Sequence, residues 1–136
     1  MTDSKQTFSA LVQVLKSEMG SLTVKSDKPT YFCIEAYTGP STLRAWKGKM
    51  RSATIPVAWV KSSKTYVSYH LMGLYMNPAM GKRIPKELKA RMQGKTCFNF
   101  RSIDPELFAQ LGELTRESIE AFRKGGFISD EAVGRP

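Results

Sequence analysis

Histidine occurs once in this chain, at position 70, and the residues around it pose the chemical question. The stretch Lys64 to Arg101 holds His70 in the run Tyr66-Val-Ser-Tyr-His-Leu-Met. After a basic segment it ends in Gly94-Lys-Thr-Cys-Phe-Asn-Phe-Arg101. Read as a strand, the first run places Tyr66, Ser68 and His70 on one side by simple alternation. If the strand carrying Cys97 and Asn99 lies alongside, a thiol and an imidazole meet, which is the minimum for a nucleophile with its base. Two other readings of His70 stand beside that one: a ligand contact on an exposed sheet face, and a hydrogen-bonded structural residue. The expectation taken forward is a binding role for Tyr66, Ser68 and His70, with no catalytic residue.

Positive charge is the second feature. Lysine and arginine number 21 against 12 acidic residues, a net charge of +9. Such an excess steers anionic partners toward the surface without naming one. It concentrates in two places. Thr38 to Arg51 contains Arg44, Lys47, Lys49 and Arg51, no acid, and Trp46 among the charges. Cations interleaved with an aromatic suit a phosphate whose base stacks on the ring. The plainer reading is a hairpin loop whose tryptophan packs back on the core. The second place is Lys82, Arg83, Lys86, Lys89, Arg91 and Lys95, against the single acid Glu87. Joined to the loop, this cluster would make one basic surface; by itself it is a solvated helix face. The ligand-binding candidates are therefore His70, Tyr66, Ser68, Trp46, Arg44, Lys47, Lys86 and Lys89. The expected partner is an anionic small molecule or a nucleic acid.

Several chemistries lack their motifs. There is no glycine-rich phosphate loop, no His-Glu-x-x-His, no Cys-x-x-Cys and no Gly-x-Ser-x-Gly. A single histidine cannot build a multi-histidine metal centre, so neither metal nor cofactor is expected. Gly94-Lys95-Thr96 imitates the end of a nucleotide-binding loop, but the upstream glycine is missing and the segment reads as a turn. Cys33 and Cys97 fall in apolar runs and read as free, small hydrophobic residues. No apolar run approaches the roughly 18 residues of a membrane span. The polar start, Met1 to Gln6, has no apolar signal core behind it. The expected setting is the cytoplasm, away from membranes; no pattern speaks to an oligomeric state.

The elements that must position these residues follow from periodicity. Phe8, Leu11, Val12, Leu15 and Met19 predict a helix over 7–19, capped by Thr7 and stopped by Gly20. Strands are predicted at 22–26, with Leu22 and Val24 sharing a face, and at 31–37, 54–61, 64–72 and 96–100. Turns are expected at Asp27-Lys28-Pro29 and at the two residues Ser62-Ser63. Pro56, which cannot donate to a ladder, predicts an edge or a bulge. Thr65, Val67, Tyr69 and Leu71 form the core side of their strand. A short helix is predicted over 85–93, with Pro85 at its first position and Ile84, Leu88 and Met92 buried. Asp104-Pro105-Glu106 opens a long last helix, and Gly125-Gly126 closes it. Hairpin-linked strands and helices at both ends predict a two-layer α+β domain. It would have a mostly antiparallel sheet of about five strands packed against N- and C-terminal helices. Its expected bounds are 1–128, with a loose polar tail over 129–136.

The run Tyr66-Val-Ser-Tyr-His-Leu-Met-Gly-Leu-Tyr75, followed by Met92-Gln-Gly-Lys-Thr-Cys-Phe-Asn-Phe100 and the long helix, resembles the YdhG-like family. These are small bacterial proteins, mostly of unknown function. The resemblance covers residues 52–126 well and the N-terminal part more loosely. It implies an antiparallel sheet on terminal helices, similar in outline to frataxin. One branch of the family is described as a frataxin-like iron chaperone, so metal or haem handling is the alternative function the resemblance implies. That role would draw on an acidic surface, because hard iron takes carboxylate ligands. The helices and loops of this chain are basic, so the fold carries over and the iron role does not follow.

Overall fold

Five strands pair antiparallel in chain order, and the helices before and after them cover one face of the sheet they make. A computed structural model describes residues 4–20, 22–41, 54–76, 78–94 and 96–129. Its elements are α1 (Ser4–Glu18), β1 (Thr23–Lys28), β2 (Tyr31–Thr38), β3 (Thr54–Ser62) and β4 (Val67–Leu71). A short α2 (Met72–Met76), a 3₁₀ segment (Pro78–Arg83) and α3 (Lys86–Lys89) follow. Then come β5 (Cys97–Phe100), α4 (Pro105–Lys124) and β6 (Ile128–Ser129). The sheet runs β1-β2-β3-β4-β5, and β6 pairs with the end of β2 at Tyr37 and Thr38. This is the two-layer α+β architecture expected from the sequence.

Alternation builds the core. Phe32, Val60, Tyr69 and Phe98 are neighbours across four strands, and Ile34, Ala58 and Leu71 form the next row. All seven are fully buried or nearly so. Against them lie Leu11 and Leu15 of α1 and Leu111, Leu114, Ile119 and Phe122 of α4. Burying side chains of this size contributes roughly 1.5–3 kcal/mol each before entropy is counted. Inside this layer the Tyr69 hydroxyl donates to Thr115 Oγ1 at 2.6 Å, and Thr115 donates to the Leu111 carbonyl at 2.7 Å. Burial raises the Tyr69 pKa far above the ordinary phenol value, so it stays a neutral donor. Asp104 caps α4 as its sequence signals require, accepting from the Leu107 N–H at 3.1 Å with Pro105 in the first turn.

Pro56 is accommodated by a register shift. Ile34 pairs with Ala58 and Glu35 with Pro56, so an extra residue bulges between them. On the other side the ladder to β4 begins only at Ala58, and the proline faces no demand for a hydrogen bond there. Gly39 solves a different problem. A Cβ on Gly39 would lie 2.2 Å from the Gly126 carbonyl oxygen, closer than any side chain tolerates. That approach lets the Gly39 N–H bond the Phe127 carbonyl at 2.9 Å and the Ser41 N–H bond Gly126 at 2.7 Å. The end of α4 is thereby clasped to the end of β2.

Several local expectations are corrected. Helix α1 starts at Ser4, so Thr7 is a buried helical residue and not the cap. Strand β1 runs to Lys28, and the turn is Pro29-Thr30. Val24 does not share the burial of Leu22: it is 41% exposed, on a strand at the edge of the sheet. The β3–β4 connection is the four residues 63–66, closed by Ser63 N–H to the Tyr66 carbonyl at 2.8 Å, not the pair Ser62-Ser63. The helix predicted over 85–93 stops at Lys89. Beyond it the chain extends: Asn99 N–H bonds the Arg91 carbonyl at 2.8 Å and Gln93 N–H bonds the Cys97 carbonyl at 2.9 Å. Gly94, at φ +81°, makes the turn that returns the chain to β5. Ser129, assigned to the tail, is a strand residue paired with Tyr37. No helix of the described residues is long and apolar enough to cross a membrane.

Candidate functional site

The face of the sheet turned away from the helices carries the chemistry. The pairings that align the core rows also align two rows on this distal face. One is Cys33, Trp59, His70 and Cys97; the other is Tyr31, Lys61, Ser68 and Asn99. Cys33 and Ser68 are buried, Trp59, His70, Cys97, Tyr31 and Asn99 are half-buried, and Lys61 is exposed. The Trp59 and His70 rings stack with centroids 4.8 Å apart and planes 14° from parallel. Such a pair contributes about 0.5–1.5 kcal/mol beyond its area and presents one flat apolar step across two strands.

His70 and Cys97 do meet: Nε2 lies 3.5 Å from the Cys97 sulfur and 3.3 Å from Ser68 Oγ. The Cys97 thiol donates to Asn99 Oδ1 at 3.4 Å, and Asn99 Nδ2 donates to Gln93 Oε1 at 2.9 Å. Ser68 donates to the Lys61 carbonyl at 3.3 Å. A neutral His70 with its proton on Nε2 satisfies every partner in this chain. Burial, helped by the Lys61 charge, lowers the His70 pKa and keeps the ring neutral. Burial also raises the Cys97 pKa. Thiol and imidazole are thus an uncharged hydrogen-bonded pair at neutral pH. An activated nucleophile needs the opposite pair of shifts.

Cys33 is free and buried in the same row, but β3 and β4 separate it from Cys97. Burial raises its pKa, with the Tyr31 hydrogen bond pulling the other way. Glu35 is the acid of β2, and its carboxylate accepts from the Thr54 hydroxyl at 2.9 Å. Among the described residues no three metal-ligating side chains gather at one point.

The basic candidates separate. Arg44, Trp46 and Lys47 lie outside the described residues. Lys86 and Lys89 are exposed on α3, whose Leu88 is buried in the core and whose packing partner is α4. They belong to the helical layer, and the 38–51 loop with which they were expected to share a basic surface lies largely outside the described residues. Arg83 is drawn the same way, pairing with Glu117 of α4 at 3.8 Å. Tyr66 sits in the β3–β4 loop instead of on the strand. Sequence reasoning missed Trp59, Lys61, Arg91, Gln93 and Arg101 as neighbours of this face. Their signal was parity: Trp59 and Lys61 fall on the non-core positions of β3, as Asn99 and Arg101 do around β5.

No family model matches the chain, and no curated protein or solved structure matches it either.

Proposed function

We propose that this protein is a non-enzymatic binding domain that holds an anionic ligand on the distal face of its sheet. The observation that supports the reading is the half-buried Trp59–His70 stack with Lys61 one row away. A flat aromatic step takes a planar group, and the neighbouring ammonium takes its charge. A neutral His70 suits this use, because it adds a hydrogen-bonding edge without the cost of a buried charge. An anionic small molecule is the first ligand class, and a single-stranded nucleic acid the second. A cytoplasmic setting and kinship with the YdhG-like family belong to the same proposal and rest on the sequence alone.

Fluorescence and calorimetric titration with a nucleoside monophosphate and with a single-stranded oligonucleotide, at low and at physiological salt, tests it. Binding that weakens with salt and falls on Trp59→Ala and Lys61→Gln is expected; for the oligonucleotide the salt slope counts the phosphate contacts. Absence of binding to either probe at low salt would end the proposal.

A further inference from the structure

Beside the distal face, at the end of β5, the surface sinks into a depression of about 310 Å³ lined by Thr65, Tyr66, Arg91, Gln93, Asn99 and Arg101, with Ala90 and Met92 at its apolar edge. We propose that it is a seat for a phosphate group, clamped by Arg91 and Arg101. The inference deepens the anion-binding reading and rests on it.

Three observations carry it. First, the lining contains two guanidinium groups, two side-chain hydroxyls and two side-chain amides, and no carboxylate. That donor set fits a tetrahedral oxyanion, and the planar guanidinium fork is the side chain best matched to phosphate oxygens. Second, these arginines are uncommitted in a way others are not. Arg83 pairs with Glu117 at 3.8 Å and Arg116 with Glu113 at 3.9 Å, whereas neither Arg91 nor Arg101 forms an ion pair with any described residue. Both are exposed.

Third, the seat is built on backbone. Main-chain bonds Asn99 to Arg91 at 2.8 Å and Gln93 to Cys97 at 2.9 Å, with the Met92–Phe98 bridge, hold residues 91–93 along the free edge of β5. Val67 pairs with Phe100, which brings Tyr66 and Arg101 to the mouth of the same strand pair. Asn99 is fixed on both sides, by Gln93 and by the Cys97 thiol. The hydrogen-bonded series from His70 through Cys97 and Asn99 to Gln93 therefore joins the stacking step to the seat. A ligand with a ring and a phosphate would lie along it. The neighbouring groove on the other side of Arg91 has Glu87, Asp104 and Glu106 in its lining, and these carboxylates, none of them ion-paired to Arg91, repel the same group.

Calorimetry and amide NMR shifts on the full chain, with inorganic phosphate and with 1-naphthyl phosphate at low ionic strength, test the seat and tell a free anion from a phosphoryl group on a ring. Expected is a phosphate response centred on residues 91–93 and 99–101, weakened about tenfold or more by Arg91→Gln and again by Arg101→Gln. Unchanged thermal midpoints will show that the exposed substitutions leave the fold alone. Trp59→Ala should weaken naphthyl phosphate and leave inorganic phosphate untouched. If naphthyl phosphate binds, depends on Trp59 and ignores both arginines, the seat is wrong and the distal-face reading survives. If phosphate binds at the arginines and the ring adds nothing, the seat stands and the stacking reading falls. Silence toward both probes overturns both.

Discussion

The two faces of one sheet share their strands, their twist and their hydrogen bonds, yet they do different work. On the helix side each row is apolar and closed: Phe32, Val60, Tyr69 and Phe98 lie under α1 and α4. One residue along each strand, the row becomes Cys33, Trp59, His70 and Cys97, half-buried in all but Cys33. The polar pair Tyr69 with Thr115 on the helix side is sealed and satisfied. The polar groups on the distal side form a directional series that leads toward the surface. Stability is concentrated on one face, and the freedom to choose residues for binding is left to the other.

The sharpest way to break that contrast is a matched pair of truncations. Phe98→Ala should cost roughly 3–5 kcal/mol in urea unfolding, because the cavity lies inside the packed layer. Trp59→Ala, removing a larger ring from the distal face, should cost clearly less. Equal losses would make the distal face a second core. Next in size, Tyr69→Phe deletes the sealed hydroxyl but leaves Thr115 its bond to Leu111, so a loss of about 0.5–1.5 kcal/mol is expected.

Titration sharpens the contrast from the distal side. With the His70 pKa below its ordinary 6.5, the unfolded chain binds the proton first as pH falls. Stability should therefore drop as pH falls from 6.5 through the lowered native value, and level off below it. Replacing His70 with Gln should remove that slope in urea midpoints measured across the range. Cys97 runs the other way: its raised pKa predicts stability lost as pH climbs above 9.0, a loss that Cys97→Ser should reduce, leaving the share that comes from Cys33. The smallest effect belongs to Val24→Thr on the exposed edge strand, within about 0.5 kcal/mol of wild type.

Much of this arrangement was legible in the sequence, because side-chain alternation has period two and survives errors of pairing. Val67, Tyr69 and Leu71 could be assigned to the core, and His70 and Ser68 away from it, without knowing any partner strand. Register was not legible. A two-residue turn at Ser62-Ser63 would set Ile55 opposite His70. The four-residue connection slides the pair by an even number of positions, which leaves every face unchanged and sets Trp59 there instead. The stack that supports the binding proposal therefore depended on a turn length that two serines do not encode. The end of α3 failed for a related reason. Arg91, Met92 and Gln93 are acceptable in a helix, and only the pairing with Cys97 and Asn99 draws them out as a strand edge. The placing of Lys86 and Lys89 on a helix packed against α4 was likewise beyond the sequence, since net charge carries no geometry.

The clasp between Gly39 and Gly126 has a practical side. Because Ser129 and Ile128 occupy the last hydrogen-bonding positions beside Tyr37 and Thr38, a chain cut after Lys124 would uncover a short stretch of strand edge on β2. Bare edges recruit other chains. Such a fragment should self-associate, and it should also lose stability, because the cut removes Ile128 from the core and Phe127 from its packing on Phe122.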